Sequence, residues 1–447
     1  MSRSSRRLVT FVAAATVATT LAACGGSNGS GGGGNSSGKN EASDTGVTAD
    51  SITLGSHYPL TGVAAPGYSQ IPLGADAYFK YVNDHGGVNG RTIKWDYKDD
   101  AYNPTQTSQV VNQLVLKDQV FAIMGGLGTP THAAVVNFLN SEGVPDLFVA
   151  SGSLEWGNDP KKFPETFGWQ TDYESEGKVL GQYISQKFPN AKVGLFLQDD
   201  DFGQDGEKGL RQYIDKQIVD TERYTPGNVN VGPQIAKLQA AKADFVVGFD
   251  VPAYTALSQL TALQLGYKPQ WAYSNVGSDP GLVGSLLNNF SKGKVTDASP
   301  LNGALTTAYL PTVDQADNPW IKLFQKVWTS SAGQGPLTNY DVYGMAQAYT
   351  TVQALQMAGK NPTRKSLVSA LEKAGGALKG PGLAPFRYSS DSHLGIGGMA
   401  VGQINGNGIK LLTDVLTTDI GNADIAKYTG TEATPPSSGI PDEKPVG

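Results

Sequence analysis

Strand-like and helix-like segments alternate along most of this chain, and that alternation constrains its fold more than any other feature. Ser51–Gly55 reads as a strand, followed by a helix with Ile71, Gly74, Ala77, Tyr78 and Tyr81 on one face. Thr92–Tyr97 is a second strand. Asn103-Pro104 then supplies an N-cap and a first-turn proline for a helix carrying Val110, Val111, Leu114 and Val115. Phe121–Met124 and Val144–Val149 are short buried strands, and the alternation resumes at Val193–Leu197, Thr221–Tyr224, Phe245–Phe249 and Trp271–Tyr273. Strands separated by helices of this length join in parallel through crossovers, which predicts doubly wound α/β sheets. A chain of 447 residues is long enough for two domains or one bilobed unit. A faint echo between Lys117–Gly125 and Lys242–Gly248 suits two lobes of like topology. After Leu301 the pattern changes to one strand near Ala304–Tyr309, long helices at Asn318–Ser330 and Thr338–Met357, and β-rich pieces at Phe386–Tyr388 and Met399–Ile404.

The amino-terminal end sets the compartment. Arg3, Arg6 and Arg7 precede an apolar, small-residue run, Leu8–Ala23, that is short and interrupted by threonine, as in an export signal. It ends in Leu21-Ala22-Ala23-Cys24-Gly25, which resembles the lipobox of bacterial lipoproteins, implying lipidation of Cys24 and cleavage before it. Arg6-Arg7 leaves the twin-arginine route open beside the general one. Cys24 is the only cysteine, so neither a disulfide framework nor a thiolate metal site is available. Removing the leader with its three arginines leaves 31 basic against 40 acidic residues, a net charge of −9 that argues against nucleic acid or anionic membrane surfaces as partners. Gly25 to about Asp44 is a Gly/Ser/Asn tether, and residues 429–447, rich in Pro, Ser and Gly, are expected to be a disordered tail.

In open α/β sheets ligands bind beyond the carboxyl ends of the strands. Three such loops stand out: Gly125–Thr131, Ser151-Gly152-Ser153, and Asp199-Asp200-Asp201-Phe202-Gly203. They suit a small polar solute, and each also reads as an ordinary strand-to-helix turn with capping residues. Three consecutive aspartates point alternately and read as a solvated loop rather than a metal site. Histidines 57, 85, 132 and 393 show no metal-ligand spacing; His57 lies near the expected cleft, with a capping or surface role. Gly126-x-Gly128 falls short of a dinucleotide fingerprint, and Asp146 beyond it is read as coincidence. Trp156 suits either the cleft mouth or lobe packing, and Tyr340 and Tyr343, at i and i+3 on a helix, suit the core. Ser151 and Ser153 lack a nucleophile elbow, which leaves a hydrolase as a weak alternative to a binding module.

Larger motifs add a resemblance. Pro59-Leu60-Thr61-Gly62 follows the first strand, then come Asn83-Asp84-His85-Gly86-Gly87-Val88-Asn89-Gly90-Arg91 and Asp99-Asp100-Ala101-Tyr102-Asn103-Pro104. Further on stand Asp201-Phe202-Gly203-Gln204-Asp205-Gly206 and Tyr340-Asp341-Val342-Tyr343. In these the chain resembles the branched-chain amino-acid (Leu/Ile/Val) binding proteins of bacterial ABC importers, with the type I periplasmic-binding fold. The resemblance implies two doubly wound parallel-sheet lobes joined by three hinge crossings, near Gly168–Thr171, Leu301–Tyr309 and Gly380–Phe386. Residues 48–170 and 302–380 would form lobe 1, and 171–301 with 381–428 lobe 2. It also implies that a ligand carboxylate is held at Gly128, Thr129, Ser151, Gly152 and Ser153, with Phe202 and Tyr68 as aromatic covers. Where the family's amino-acid binders place an acid for the ligand's ammonium, this chain has Asn275. Either Asp250 substitutes for that acid, or the solute is an amide, a urea-like compound, or an aromatic or keto acid.

The expected protein is thus a monomeric, lipid-anchored solute binder on the extracytoplasmic face of the cell membrane that serves an ABC permease, with neither cofactor nor metal. A surface lipoprotein that signals to a membrane partner is the alternative. Mass spectrometry of the membrane fraction should find the amino terminus at a diacylglyceryl-modified Cys24, and Cys24→Ala should release the chain from the membrane. Wild-type protein recovered with an unmodified Cys24 would reverse the assignment.

Overall fold

The computed structural model describes residues 39–331 and 335–446; the leader, Cys24 and most of the linker lie outside the described residues. Five parallel strands form the first sheet: β1 (Ser51–Tyr58), β2 (Thr92–Asp99), β3 (Ala122–Met124), β4 (Asp146–Val149) and β5 (Thr166–Gly168), in the order β2-β1-β3-β4-β5. The second sheet is built on β6 (Val193–Gln198), β7 (Ile218–Tyr224), β8 (Phe245–Phe249), β9 (Gln270–Tyr273) and β10 (Leu305–Ala308). Its parallel part runs β7-β6-β8-β9-β10, the same order as the first sheet. The echo seen in the sequence falls on β3 and β8, the third strand of each lobe. Antiparallel strands β11 (Gly398–Asn405), β12 (Gly408–Leu411), β13 (Leu416–Thr417) and β14 (Ala426–Lys427) extend the second sheet beyond β10.

The helices follow their caps. Asn103 accepts from the backbone of Thr105 and Gln106 and opens the Pro104–Leu116 helix. Thr338 and Asp341 form a reciprocal capping box for the Asn339–Met357 helix, which is buried on nearly every side. That helix crosses the Ile71–Asp84 helix closely. A Cβ at Gly74 would stand 2.2 Å from the Asp341 carbonyl oxygen, and one at Gly344 would stand 1.9 Å from that of Ile71. Glycine on both sides of the crossing is what lets the two backbones meet.

Two lobe limits differ from the sequence reading. Leu305 pairs with Ala272 and β10 ladders with β11, so residues 305–308 belong to lobe 2. The segment expected as a strand at Phe386–Tyr388 is reduced to one bridge, Phe386 to Ile396. It packs on lobe 1, where Tyr388 donates to the Gly168 carbonyl and stacks on Phe148, and His393 stacks on Phe167. Aromatic packing, not the position of the crossing, decides this boundary.

The carboxy-terminal tail is a second correction. It lies along lobe 1, where buried side chains supply donors to its backbone carbonyls. Tyr78 donates to Gly439, Tyr81 to Ser438, Trp320 to Ala433 and Gln356 to Pro441, all within 2.7–2.8 Å. Val446 N–H reaches the Met357 carbonyl at 2.9 Å. Its Pro/Ser/Gly composition removes a core of its own but leaves carbonyls that another surface can satisfy. On the amino-terminal side, Arg91, 1 % exposed, donates to the carbonyls of Thr48, Glu41 and Lys360 and to Asn361 Oδ1. It fastens residues 41–48 to lobe 1.

Deleting residues 431–447 should strip several of these donors of partners and cost about 3 kcal/mol. Scanning calorimetry should then show the melting temperature lower by roughly 3–5 °C. An unchanged melting temperature would show that the tail contributes nothing to stability.

Candidate functional site

In both sheets the order of parallel strands reverses between the first and third, and the loops after those strands meet at the cleft. Between them lies a cavity of about 150 Å³, a size that in an apolar setting admits benzene. Lobe 1 brings Tyr68, Tyr102, Leu127, Gly128, Thr129, Tyr340 and Tyr343 to its wall, and lobe 2 brings Tyr173, Phe202, Asn275, Asp279 and Thr307. Gln170 and Tyr309 enter from the crossings. Seven of the wall residues are aromatic: Tyr68, Tyr102, Tyr173, Phe202, Tyr309, Tyr340 and Tyr343. Among the described residues, no lysine, arginine or histidine lines the cavity, and Asp279 is its one carboxylate.

The lobe 1 loops rest on a buried chain of four charged or titratable side chains. Asp100 Oδ2 meets His57 Nδ1 at 2.7 Å, His57 Nε2 meets His132 Nδ1 at 3.1 Å, and His132 Nε2 meets Asp146 Oδ2 at 2.8 Å. All four are fully buried. Burial lowers the pKa of His57, opposed mainly by its hydrogen bond to Asp100. Thus His57 serves neither as a cap nor at the surface, and Asp146 is a member of this buried chain. Asp100 also accepts from the Tyr102 backbone at 2.9 Å, which sets that ring in the wall. Gly126 lies directly over the imidazoles, with a Cβ there falling 2.6 Å from each. Gly128, at φ 102°, lets the backbone pass the Tyr102 ring, where a Cβ would stand 2.5 Å away.

Thr129 lines the cavity and shares a 2.8 Å hydrogen bond with Ser151 Oγ. Ser151, Gly152 and Ser153 stand behind the wall and do not line it. Ser153 Oγ instead accepts from Glu155 N and caps the short Leu154–Trp156 turn. Gly152 receives Tyr173 N–H on its carbonyl at 2.9 Å, and burial pushes the Tyr173 hydroxyl up to about 12. In lobe 2, Asp200 caps the Asp201–Ile214 helix and accepts from Phe202 N at 3.0 Å. Phe202 then packs 4.4 Å from the Tyr173 ring. Trp156 packs edge-on against His132, away from the cavity.

Asp250 does not take the place of the acid that Asn275 lacks. Its carboxyl is buried behind the wall, accepts from Thr255 Oγ1 at 2.8 Å, and is held well above the usual carboxylate range by burial. Glu176, not anticipated, lies behind Asn275 and Thr307 and is hydrogen-bonded to both. Tyr340 and Tyr343, expected in the core, line the site because the first turn of their helix faces the cleft. Tyr102, Gln170, Tyr173, Tyr309 and Asp279 were also missed. A usable signal existed for some: hinge crossings run along the cleft floor, so residues in and beside them reach the ligand space.

The lobes are closed on one another. Leu154 N donates to Asp205 Oδ2 at 2.9 Å, Asn339 Nδ2 to Asp279 Oδ2 at 2.6 Å, and Gln198 Nε2 to the Tyr102 hydroxyl at 3.4 Å. Burial pushes Asp205 up to about 7, against the pull of the Leu154 N–H.

The chain matches the periplasmic binding protein family over residues 51–409 and belongs to it. It is 27% identical over 329 residues to a Leu/Ile/Val-binding protein homolog 1 of Brucella abortus, covering 72% of this chain and 82% of the relative. A branched-chain amino acid ABC transporter structure from Thermus thermophilus with bound valine is similar at a TM-score of 0.70. There the identity is 20%, covering 83% of this chain and 97% of that one. A solute binding protein from R. palustris in complex with 4-hydroxybenzoate aligns at a TM-score of 0.67 and 19% identity, covering 82% and 97%. These likenesses fix the fold, and the family places the protein among solute binders that work outside the cytoplasm.

Thr129→Ala should weaken solute binding about tenfold, with a melting-temperature loss of only about one or two degrees from the stranded Ser151 hydroxyl. Ser153→Ala should instead keep its affinity, costing about 1 kcal/mol through the lost cap. Titration calorimetry and thermal melts on both variants separate the roles; matching profiles would contradict the geometry.

Proposed function

We propose that this protein is the solute-binding component of an ABC importer, held at the outer face of the membrane through Cys24 and handing a small solute to a permease. The observation that carries the reading is the cavity between two lobes, walled by aromatic rings from both and by a few polar groups. Such a wall suits a solute with a flat or branched apolar body and a polar end. Solute that touches Thr129 from lobe 1 and Phe202 and Asn275 from lobe 2 is bridged only in the closed form, so it draws the lobes together by differential binding. The closed form is what a permease would recognise.

The wall offers little for bond-breaking chemistry. Ser151 Oγ is engaged by Thr129, and Ser153 is committed to its cap. Both histidines of lobe 1's buried chain face carboxylates and each other. A binding role accounts for these arrangements without a nucleophile and base.

The test is a thermal-shift screen of residues 25–447 against amino acids, amides, ureas, and aromatic and keto acids. A solute at a hundred times its Kd should add about 2.7 kcal/mol to stability. A hit that Phe202→Ala abolishes would support the cleft as its site. Silence across every class would turn the reading toward a signalling or structural lipoprotein.

A further inference from the structure

Two amide side chains stand in the cavity wall, and Asn275 is set by its neighbours. Asn275 donates through Nδ2 to Glu176 Oε1 at 2.8 Å and to Thr307 Oγ1 at 3.3 Å. Its backbone N–H also reaches Glu176 Oε1, at 2.7 Å. Among the described residues nothing donates to its Oδ1, the end left for the cavity. Gln170 is not set in this way: its Oε1 accepts the Tyr343 hydroxyl at 2.9 Å, a group that serves as donor or acceptor, and its Nε2 is buried with no partner among the described residues.

Glu176 is the reason Asn275 holds its orientation. The carboxylate is fully buried and also accepts from Ser274 Oγ at 2.8 Å and Thr307 Oγ1 at 2.6 Å. Turning the Asn275 amide over would press Oδ1 against a carboxylate oxygen with no hydrogen between them, in surroundings where that repulsion is poorly screened. The wall therefore offers one fixed acceptor, Asn275 Oδ1. It offers no basic side chain to an anionic head, and Asp279 stands in the same wall.

Granting the solute-binding reading, we infer that the solute has an uncharged head that presents an N–H donor to Asn275 Oδ1. A neutral head with such a donor is a carboxamide, a urea or a lactam. Glu176 acts as a positioning residue: it decides which end of Asn275 the solute meets. A matched carboxylic acid lacks the donor and sets oxygen against oxygen at Asn275.

The test uses calorimetric titration of residues 25–447 with two matched pairs, isobutyramide against isobutyrate and benzamide against benzoate. The amide of at least one pair should bind about tenfold or more tightly than its acid. In Asn275→Leu that gap should close through loss on the amide side alone. In Glu176→Gln, which frees Asn275 to turn over, the gap should narrow even where melting temperature is kept. Equal affinities within each pair, or tighter binding of the acids, would overturn the inference without any variant. So would a Glu176→Gln protein that loses amide and acid in equal proportion, since a purely structural role predicts that. Failure of all four compounds while another class scores in the thermal-shift screen overturns this inference and leaves the importer reading standing. Failure of every class removes both.

Discussion

What lobe 1 offers to a solute from the loops after β2 and β3 is hung on the buried chain Asp100–His57–His132–Asp146. It ties the end of β1 to the loop after β2, to the loop after β3 and to the start of β4, three connections that would otherwise move apart. Three contacts in series need three hydrogens, and two neutral imidazoles supply only two. The third comes from one further proton held within the chain, on an imidazole or on a carboxyl group. An ionic core of this kind adds little net stability compared with apolar packing, but removing one member strands a buried charge. Its value lies in fixing the Tyr102 ring and the Gly126–Thr129 backbone in one arrangement.

Lobe 2 meets that fixed surface with parts held just as locally. The Asp200 cap places Phe202, and Glu176 places Asn275. Neither carboxylate lines the cavity, yet each sets what does. The site is therefore assembled from ordinary capping and hydrogen-bonding devices that happen to end at loops meeting at the cleft. The topology, repeated in both lobes, brings those loops there.

Much of the fold was legible because period and caps are local signals. The alternation of strands and helices, the Asn103 cap and the repeated third strand at β3 and β8 all follow from neighbouring residues. Five expected site residues, Tyr68, Gly128, Thr129, Phe202 and Asn275, line the cavity because they sit on loops after strands, where the topology delivers them. What sequence could not show was which way a loop side chain turns. Ser153 turns to its own cap, and Asp250 turns back to Thr255. Tyr340 and Tyr343 carry a helical spacing that fits core and site equally, and only the angle of their helix to the cleft separates the two. The tail misled for a related reason: composition reports whether a segment can form a core, not whether another surface wants its carbonyls.

The docking of both flanks has a mechanical consequence. Residues 40–44 are bonded to Asn89, Arg91, Pro362 and Arg364, and residues 433–446 to the helices that back the first sheet. Both run-ins to the folded body thus grip the same lobe. A pull applied at either flank would load lobe 1 alone and would not cross the hinge, which leaves lobe 2 as the free arm of a balance whose pivot carries no external weight.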